Sequence, residues 1–160
     1  MSRTRLRQFA FALPTAAVGL AALASAPAAA APTDPLTQAA CDFGWQLTTY
    51  DFTNYEDYDR RVLDRSTGQF HDQFANSSAD RRAHAETAHT HSEAVAVECR
   101  TDTADPDHAQ MVVSIDQSTR SDATLGFPHQ TRTILRVSLD NVDGRWLASR
   151  VDPVPPPPPR

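Results

Sequence analysis

Three of the six histidines lie close together in the sequence, at His84, His89 and His91. A zinc site needs three or four donors that converge from a fixed backbone. His84 and His89 are five positions apart, whereas ligands on one face of a helix follow the i, i+4 spacing. We therefore interpret the group as the solvated end of a polar helix, with His84 and Glu86 on the surface, and predict no metal site.

An acid–base enzyme would need a titratable group that faces an apolar interior, where desolvation tunes its pKa. Tyr50 and Asp51 are the only adjacent pair near a helix end that could reach such an interior. We interpret Asp51 as a residue of the connection between two helices. The predicted inward strand positions carry no acid: Met111, Val113, Ile115, Leu135, Val137 and Leu139. We predict that the chain is not an enzyme and binds no cofactor.

The chain has two cysteines, Cys41 and Cys99. In an exported protein an even pair most often forms a disulfide, and we predict that bond here. Two buried free thiols are the alternative. Two thiolates alone are too few for a structural zinc site. The bond would join the first predicted helix to the first predicted strand.

The first thirty residues have the pattern of an export signal. Three arginines, Arg3, Arg5 and Arg7, precede an uncharged apolar stretch over residues 9–30 that ends on three alanines. This order of a basic region, an apolar region and a small-residue exit is typical of a signal peptide. The stretch is also long enough to remain as a membrane anchor. We predict cleavage after Ala30 and an exported protein, either secreted or held in the cell envelope.

The chain after the predicted cleavage site has the size of one domain. Losing three arginines changes the net charge from −5 to −8, since residues 1–30 contain no acid. Such an acidic domain is a poor match for nucleic acid, which we exclude as a partner. We divide it into a linker at 31–35, a folded domain at 36–153 and a polyproline tail at 154–160.

The first half of the domain has helical periodicity. The first predicted helix has apolar residues at helical spacing: Leu36, Ala40, Phe43, Leu47 and Tyr50. Capping-box patterns at Thr53–Glu56 and Ser66–Gln69 predict the starts of two further helices. Residues 76–89 are rich in alanine but have no large apolar residue, so they predict a fourth helix that packs loosely.

In the second half, apolar and polar residues alternate with the two-residue period of strands. We predict strands at 94–99, 109–117, 131–141 and 145–151. Asp143 and Gly144 form a tight hairpin turn between the last two, because glycine adopts positive φ easily. Trp146, just after the turn, is predicted to be substantially buried. Helices followed by an antiparallel meander predict an α+β fold, with the helices packed on one face of a curved four-stranded sheet in a cone of the NTF2-like type.

The long connection Ser118–Gln130 carries Leu125 and Phe127 among polar residues. Exposed apolar side chains in such a loop suit a contact with a partner protein. The alternative is that the loop folds both side chains back onto the sheet.

Three segments in order, Leu47–Tyr58, Thr67–Phe70 and Asp143–Leu147, resemble the Mce-associated proteins of actinobacteria. The resemblance covers residues 38–152. Members of that family have an N-terminal membrane or signal segment followed by an NTF2-like domain. This chain departs from the family in its plausible cleavage site and in residues 79–89, which lack the expected large apolar residues.

The resemblance implies a non-enzymatic accessory or scaffold role beside Mce systems, which move lipids or sterols across the cell envelope. Expected partners are Mce transporter subunits or other envelope proteins, with lipid as a further possibility. The resemblance supplies no catalytic residues. The alternative function is a small-molecule-binding or isomerase-like NTF2-like domain with an apolar cone.

Overall fold

The computed structural model describes residues 34–155, so the predicted export segment and most of the predicted tail lie outside the described residues. Within this range no helix combines the length and apolar character needed to cross a membrane. The helices are α1 (Pro35–Thr48), α2 (Tyr55–Leu63), α3 (Gly68–Asn76) and α4 (Ser78–Thr87). The strands are β1 (Tyr50–Asp51), β2 (His91–Ala104), β3 (His108–Arg120), β4 (His129–Val142) and β5 (Arg145–Pro153).

The antiparallel sheet has five strands rather than the predicted four, in the order β1-β2-β3-β4-β5. The additional strand is β1, whose Tyr50 and Asp51 pair with Ser92 and His91. Tyr50 was predicted in the first helix, but α1 ends at Thr48 because Thr49 is already extended. The hydroxyl of Thr49 accepts the N–H of Ala94 at 3.2 Å, which ties this turn to the sheet.

The two predicted capping boxes are wrong. Thr53 lies in a short 3-10 turn, Phe52–Asn54, and its hydroxyl donates to the carboxylate of Asp51. That local bond replaces the cap, and α2 starts at Tyr55 without a side-chain cap. Ser66 does not cap α3 either, since its hydroxyl donates to the carbonyl of Leu63. The residue at the N-cap is Thr67, which makes no side-chain cap and whose backbone N–H donates to the carbonyl of Ala148 in β5 at 2.9 Å.

The core lies between the helices and one face of the sheet. The predicted inward residues of β3 and β4 are all buried: Met111, Val113, Ile115, Leu135, Val137 and Leu139. Phe43 of α1 packs among them, with 1% of its surface exposed. A Cβ at the next residue, Gly44, would lie 2.8 Å from Cγ1 of Val113. Glycine at this position therefore lets α1 approach the sheet closely.

Cys41 and Cys99 form the predicted disulfide between α1 and β2, with their Cα atoms 5.7 Å apart. The predicted hairpin turn is also present, with positive φ at both Asp143 and Gly144, as in two-residue turns of type I′.

Trp146 packs against the core with most of its surface covered, as predicted, but it is not among the fully buried residues. It pairs with Asn141 close to the turn and lines an open cleft together with Ala39 and Asp42 of α1. The fully buried residue of β5 is Ala148, farther from the turn, because the helices cover the sheet there.

The two edges of the sheet differ. The backbone of Arg65 and Thr67 hydrogen-bonds to both sides of Ala148, at 2.9 Å each, and so covers part of the β5 edge. On the opposite edge, β1 pairs with only two residues of β2. β-Bulges interrupt the pairing of β2 with β3 between Ala94 and Ala96 and between Thr101 and Thr103.

Candidate functional site

The connection between β3 and β4 carries the most exposed large apolar side chains in the described chain. We define residues 121–128 as the contact loop. Leu125 is 84% exposed and Phe127 is 69% exposed. The structure thus excludes the alternative in which the loop folds these side chains back onto the sheet.

The contact loop is held by its own hydrogen bonds. The N–H of Ser121 donates to the hydroxyl of Thr124 at 3.0 Å, and the N–H of Thr124 donates to the carbonyl of Ser121 at 3.1 Å, which closes a 3-10 turn over Asp122–Thr124. The N–H of Gly126 then donates to the carbonyl of Ser121 at 3.0 Å, and that of Phe127 to Thr124 at 2.9 Å. The backbone N–H groups of residues 124–127 are therefore all bonded within the loop.

Leu125 has φ +53°, a left-handed conformation that glycine or asparagine adopts at lower cost. A leucine held exposed in this conformation is a feature that stability alone does not explain. Strain of this kind concentrates at functional sites.

The contact loop is also braced by the turn after α4. The N–H of Asp122 donates to the carbonyl of Ala88 at 3.0 Å. The carboxylate of Asp122 lies 2.7 Å from Nδ1 of His89. The ring of His89 in turn makes an edge-to-face contact with Phe52, with centroids 5.1 Å apart. The loop therefore presents its apolar side chains from a fixed support.

The three histidines of the sequence pattern have different partners. His89 contacts Asp122, and His91 lies 2.9 Å from the carboxylate of Asp51. His84 is exposed on α4, as is Glu86, in agreement with their predicted surface positions. The pattern therefore does not converge on one point.

Asp51 is the connector that we predicted rather than an inward-facing base. Its carboxylate accepts the hydroxyl of Thr53 at 2.6 Å and the N–H of Thr53 at 2.8 Å. These bonds, with a smaller contribution from His91, lower the pKa of Asp51. Its neighbour Tyr50 lies partly buried beside Tyr55 and Tyr58, where desolvation raises the pKa of its phenol.

A buried ionic cluster between α2 and α4 was missed by the sequence analysis. Asp59, 5% exposed, receives a hydrogen bond from Arg81 at 2.9 Å and one from the hydroxyl of Ser78. Arg82 lies 3.8 Å from the same carboxylate. The guanidinium of Arg81 also stacks on the ring of Phe74, 3.5 Å from its centroid. This cluster docks α4 through charge, while Ala85 is the one residue that the helix buries.

The sequence of α2 does contain evidence for this cluster, in the position of Asp59 relative to the apolar residues. Asp59 follows Tyr55 by four residues and precedes Val62 by three, so it lies on the buried stripe of α2. A buried acid on such a stripe needs a cationic partner, and the partly exposed arginine pair of α4 supplies it. Beside the cluster, Tyr55, Arg81 and His84 line an open cleft of about 390 Å³.

Residues 28–155 match a family model described as uncharacterized protein Rv1363c/MT1408-like. No curated protein sequence matches the chain. The fold is similar to an Ntf2-like protein involved in plasmid conjugation, at TM-score 0.56 and 14% identity. That match covers 78% of this chain and 49% of the other, so this chain spans about half of that protein.

Two further solved structures are similar along almost their whole length. An IcmL-like type IV secretion system protein from Legionella pneumophila has TM-score 0.59 and 16% identity, covering 78% of this chain and 95% of that one. The periplasmic domain of DotI has TM-score 0.56 and 15% identity, covering 81% and 100%. At these identities the likeness establishes an NTF2-like α+β fold.

Proposed function

This chain belongs to the Rv1363c/MT1408-like family, and on that premise we propose that it is an exported, non-enzymatic envelope protein that acts by binding a partner protein. The partner contact is the contact loop, with Leu125 and Phe127 as its anchors. The observation that carries this function is the exposure of both side chains on a braced loop.

Physical reasons favour a contact of this kind. Leucine and phenylalanine bury apolar area when a partner covers them, and a few such anchors supply most of the energy of an interface. Because the loop is already fixed by hydrogen bonds to Ser121 and Ala88, binding orders little additional chain.

Two features support export. The N-terminal basic, apolar and small-residue pattern is that of an export signal. The disulfide between Cys41 and Cys99 fits an oxidising compartment outside the cytoplasm.

The partner that we propose is a subunit of an Mce-type lipid or sterol transport system, in which this protein is an accessory or scaffold. The ordered resemblance of residues 38–152 to Mce-associated proteins supports this choice. The DotI domain of similar fold is described as periplasmic, and the IcmL-like protein as part of a secretion system.

A small-molecule-binding cone is the second candidate. The open cleft between Tyr55, Arg81 and His84 favours it, since its aromatic walls suit a small, partly apolar ligand. If this candidate is correct, His84→Ala should impair function while the contact loop remains dispensable.

The test is complementation of a deletion strain, with lipid or sterol uptake and recovery of partners on the tagged protein as readouts. We expect the double variant Leu125→Ser/Phe127→Ser to lower partner recovery by about tenfold or more, because it removes both anchors. His84→Ala and Asp51→Asn should leave uptake almost unchanged.

The matched control is Val142→Ser, which removes another exposed apolar side chain, near the β4–β5 turn. It should behave as wild type. Normal uptake and partner recovery with the double variant would contradict the proposed contact. Recovery of envelope proteins other than Mce subunits would keep the contact but reject the Mce assignment.

A further inference from the structure

The edge formed by β2 is open over most of its length. β1 pairs only with His91 and Ser92, and the N–H of Ala94 is bonded to Thr49. Beyond them, β2 continues to Ala104 with a neighbour on the β3 side alone within the described residues. Unpaired backbone groups along such an edge are a template for another strand.

The open edge contains one regular segment. Bulges lie on either side of Ala96–Thr101, and within this segment each residue of β2 pairs in sequence with one of β3. Bulges often protect an edge by twisting it. Here the bulges lie at the two ends of a regularly paired segment and do not interrupt it, so the segment is long enough to pair with a second strand.

The segment has an alternating charge pattern. Cys99 faces α1 through its disulfide, so Glu98 and Arg100 lie on the opposite face of the sheet. Glu98 is exposed and accepts a hydrogen bond from Arg132 at 3.3 Å. Arg100, also exposed, has no carboxylate partner and no hydrogen-bond acceptor within residues 34–155. An exposed arginine at an open edge is thus available to a carboxylate from outside the molecule.

We propose that a second copy of this chain pairs with β2 in antiparallel orientation, with the two-fold axis at Cys99. In this register Glu98 lies opposite the second copy's Arg100, and Arg100 opposite the second copy's Glu98. Both cross-strand pairs then join opposite charges, which stabilises antiparallel pairing. Val97 lies opposite the second copy's Thr101, so the paired residues stay between the two bulges.

The charges also exclude the neighbouring registers. A two-fold axis at Glu98 would place two glutamates opposite each other, and an axis at Arg100 would oppose two arginines. Like charges in directly opposite positions destabilise strand pairing. The axis at Cys99 avoids both arrangements.

Apolar surface lies next to the same edge. Trp45, 43% exposed, is one helical turn after Cys41, whose disulfide binds α1 to this strand. Trp45 follows Gly44, whose position is close to the side chain of Val97. In the dimer the helix face that carries Trp45 approaches the second copy and adds buried apolar area to the backbone hydrogen bonds.

The test measures self-association of the protein expressed with its own N-terminal segment and purified as the cell processes it. Sedimentation velocity follows a concentration series that reaches about 1 mM, because a contact of this limited size is expected to be weak. We expect a monomer–dimer equilibrium. Hydrogen exchange at 96–101 should slow as concentration rises.

Charge reversal tests the register. Arg100→Glu opposes glutamates at both pairs and should raise the dimer dissociation constant by about tenfold. Glu98→Arg combined with Arg100→Glu restores opposite charges and should return the constant to within about threefold of wild type. Arg150→Glu, on the opposite edge strand β5, makes the same change in net charge and should leave dimerisation unchanged. Thermal melts of each variant confirm folding.

A protein that stays monomeric across the series overturns the proposal, as does a dimer that Arg100→Glu leaves intact. If Arg150→Glu weakens the dimer as much as Arg100→Glu does, the effect comes from net charge and not from this edge. That result also overturns the proposal. Failure of the double reversal to restore pairing rejects the register with its axis at Cys99 and, with it, the proposed interface.

Discussion

Helices α1 and α4 dock on the rest of the molecule by opposite means. α1 buries Phe43 against the sheet, approaches it closely at Gly44 and is cross-linked through Cys41 to β2. α4 buries only Ala85 among its apolar residues and depends on Arg81 and Arg82 against one buried carboxylate. One helix is held by apolar area and a covalent bond, the other by charge.

The difference matters for function because α4 supports the contact loop. The turn after α4 holds Asp122 through both the carbonyl of Ala88 and the ring of His89. An ionic attachment of this kind depends on its buried carboxylate, because Asp59 is the acid that both Arg81 and Arg82 contact. Removing the carboxylate of Asp59 should therefore loosen the contact loop, although Asp59 does not contact that loop.

The largest expected effect is on the α1 side. Replacing Cys41 and Cys99 by alanine should lower the free energy of unfolding by about 4 kcal/mol, because it frees the loop that the bond closes in the unfolded chain. Urea denaturation measures this change. Wild-type protein under reducing conditions should match the double variant. An unchanged urea midpoint would show that apolar packing alone secures α1.

On the α4 side, Asp59→Ala should cost about 3 kcal/mol, because it leaves Arg81 and Arg82 without their carboxylate. Asp57→Ala is the matched control, since Asp57 is on the same helix and pairs with two arginines at the surface. That change should cost much less, because ion pairs at the surface contribute little to stability. Urea denaturation of both variants gives the comparison.

The same pair of variants tests the link to the contact loop. Amide exchange at residues 121–128 should become faster in Asp59→Ala and stay as wild type in Asp57→Ala. Equal costs for the two variants, or unchanged exchange in the loop, would contradict the ionic docking of α4.

A smaller effect is expected at Trp146, which lies beside α1 at the rim of its docking surface. Because the ring is only partly buried, Trp146→Ala should cost roughly 1–2 kcal/mol. Phe43→Ala, at the centre of the same surface, should cost about 3–5 kcal/mol. Thermal melts distinguish the two. A cost at Trp146 as large as that at Phe43 would mean that the rim contributes as much as the centre.

The smallest effect concerns pH. The hydroxyl and N–H of Thr53 lower the pKa of Asp51, so the folded state favours the ionised carboxylate. This contribution is fully present above the ordinary carboxyl pKa of 3.8 and is lost as pH falls below it, through the lowered value. Asp51→Asn should therefore reduce the loss of stability in acid. Melting temperatures of both proteins between neutral pH and about pH 2 check this. The same decrease at low pH in Asp51→Asn and wild type would refute it.

Regular alternation made the sheet predictable. Met111, Val113 and Ile115 alternate along β3 and so identify it as a strand. Asp143 and Gly144 specify the turn between β4 and β5, because few other residue pairs adopt its backbone conformation. β1 was missed because two residues are too short to show a period, and Tyr50 also fits the apolar spacing of the preceding helix.

The missed features depend on contacts between distant residues. Ser66–Gln69 has the spacing of a capping box, but the adjacent backbone of Arg65 and Thr67 is bonded to Ala148 of β5. The polar surroundings of Leu125 and Phe127 left both an exposed and a folded-back loop open, and only the structure shows the exposure. The brace between His89 and Asp122 likewise requires the fold to bring the two residues together. A local pattern therefore identified the candidate anchors but not their support.

The order of the sheet has a consequence for how the chain folds. Each strand pairs with the strand that precedes it in the sequence, so the sheet can grow from β2 by adding one neighbour at a time. Such local pairing closes short loops and favours rapid folding. Arg65 and Thr67, in contrast, need Ala148 on β5, the last strand to be added. We therefore expect this long-range contact to form late in folding. It attaches the helices to β5, the strand that completes the sheet.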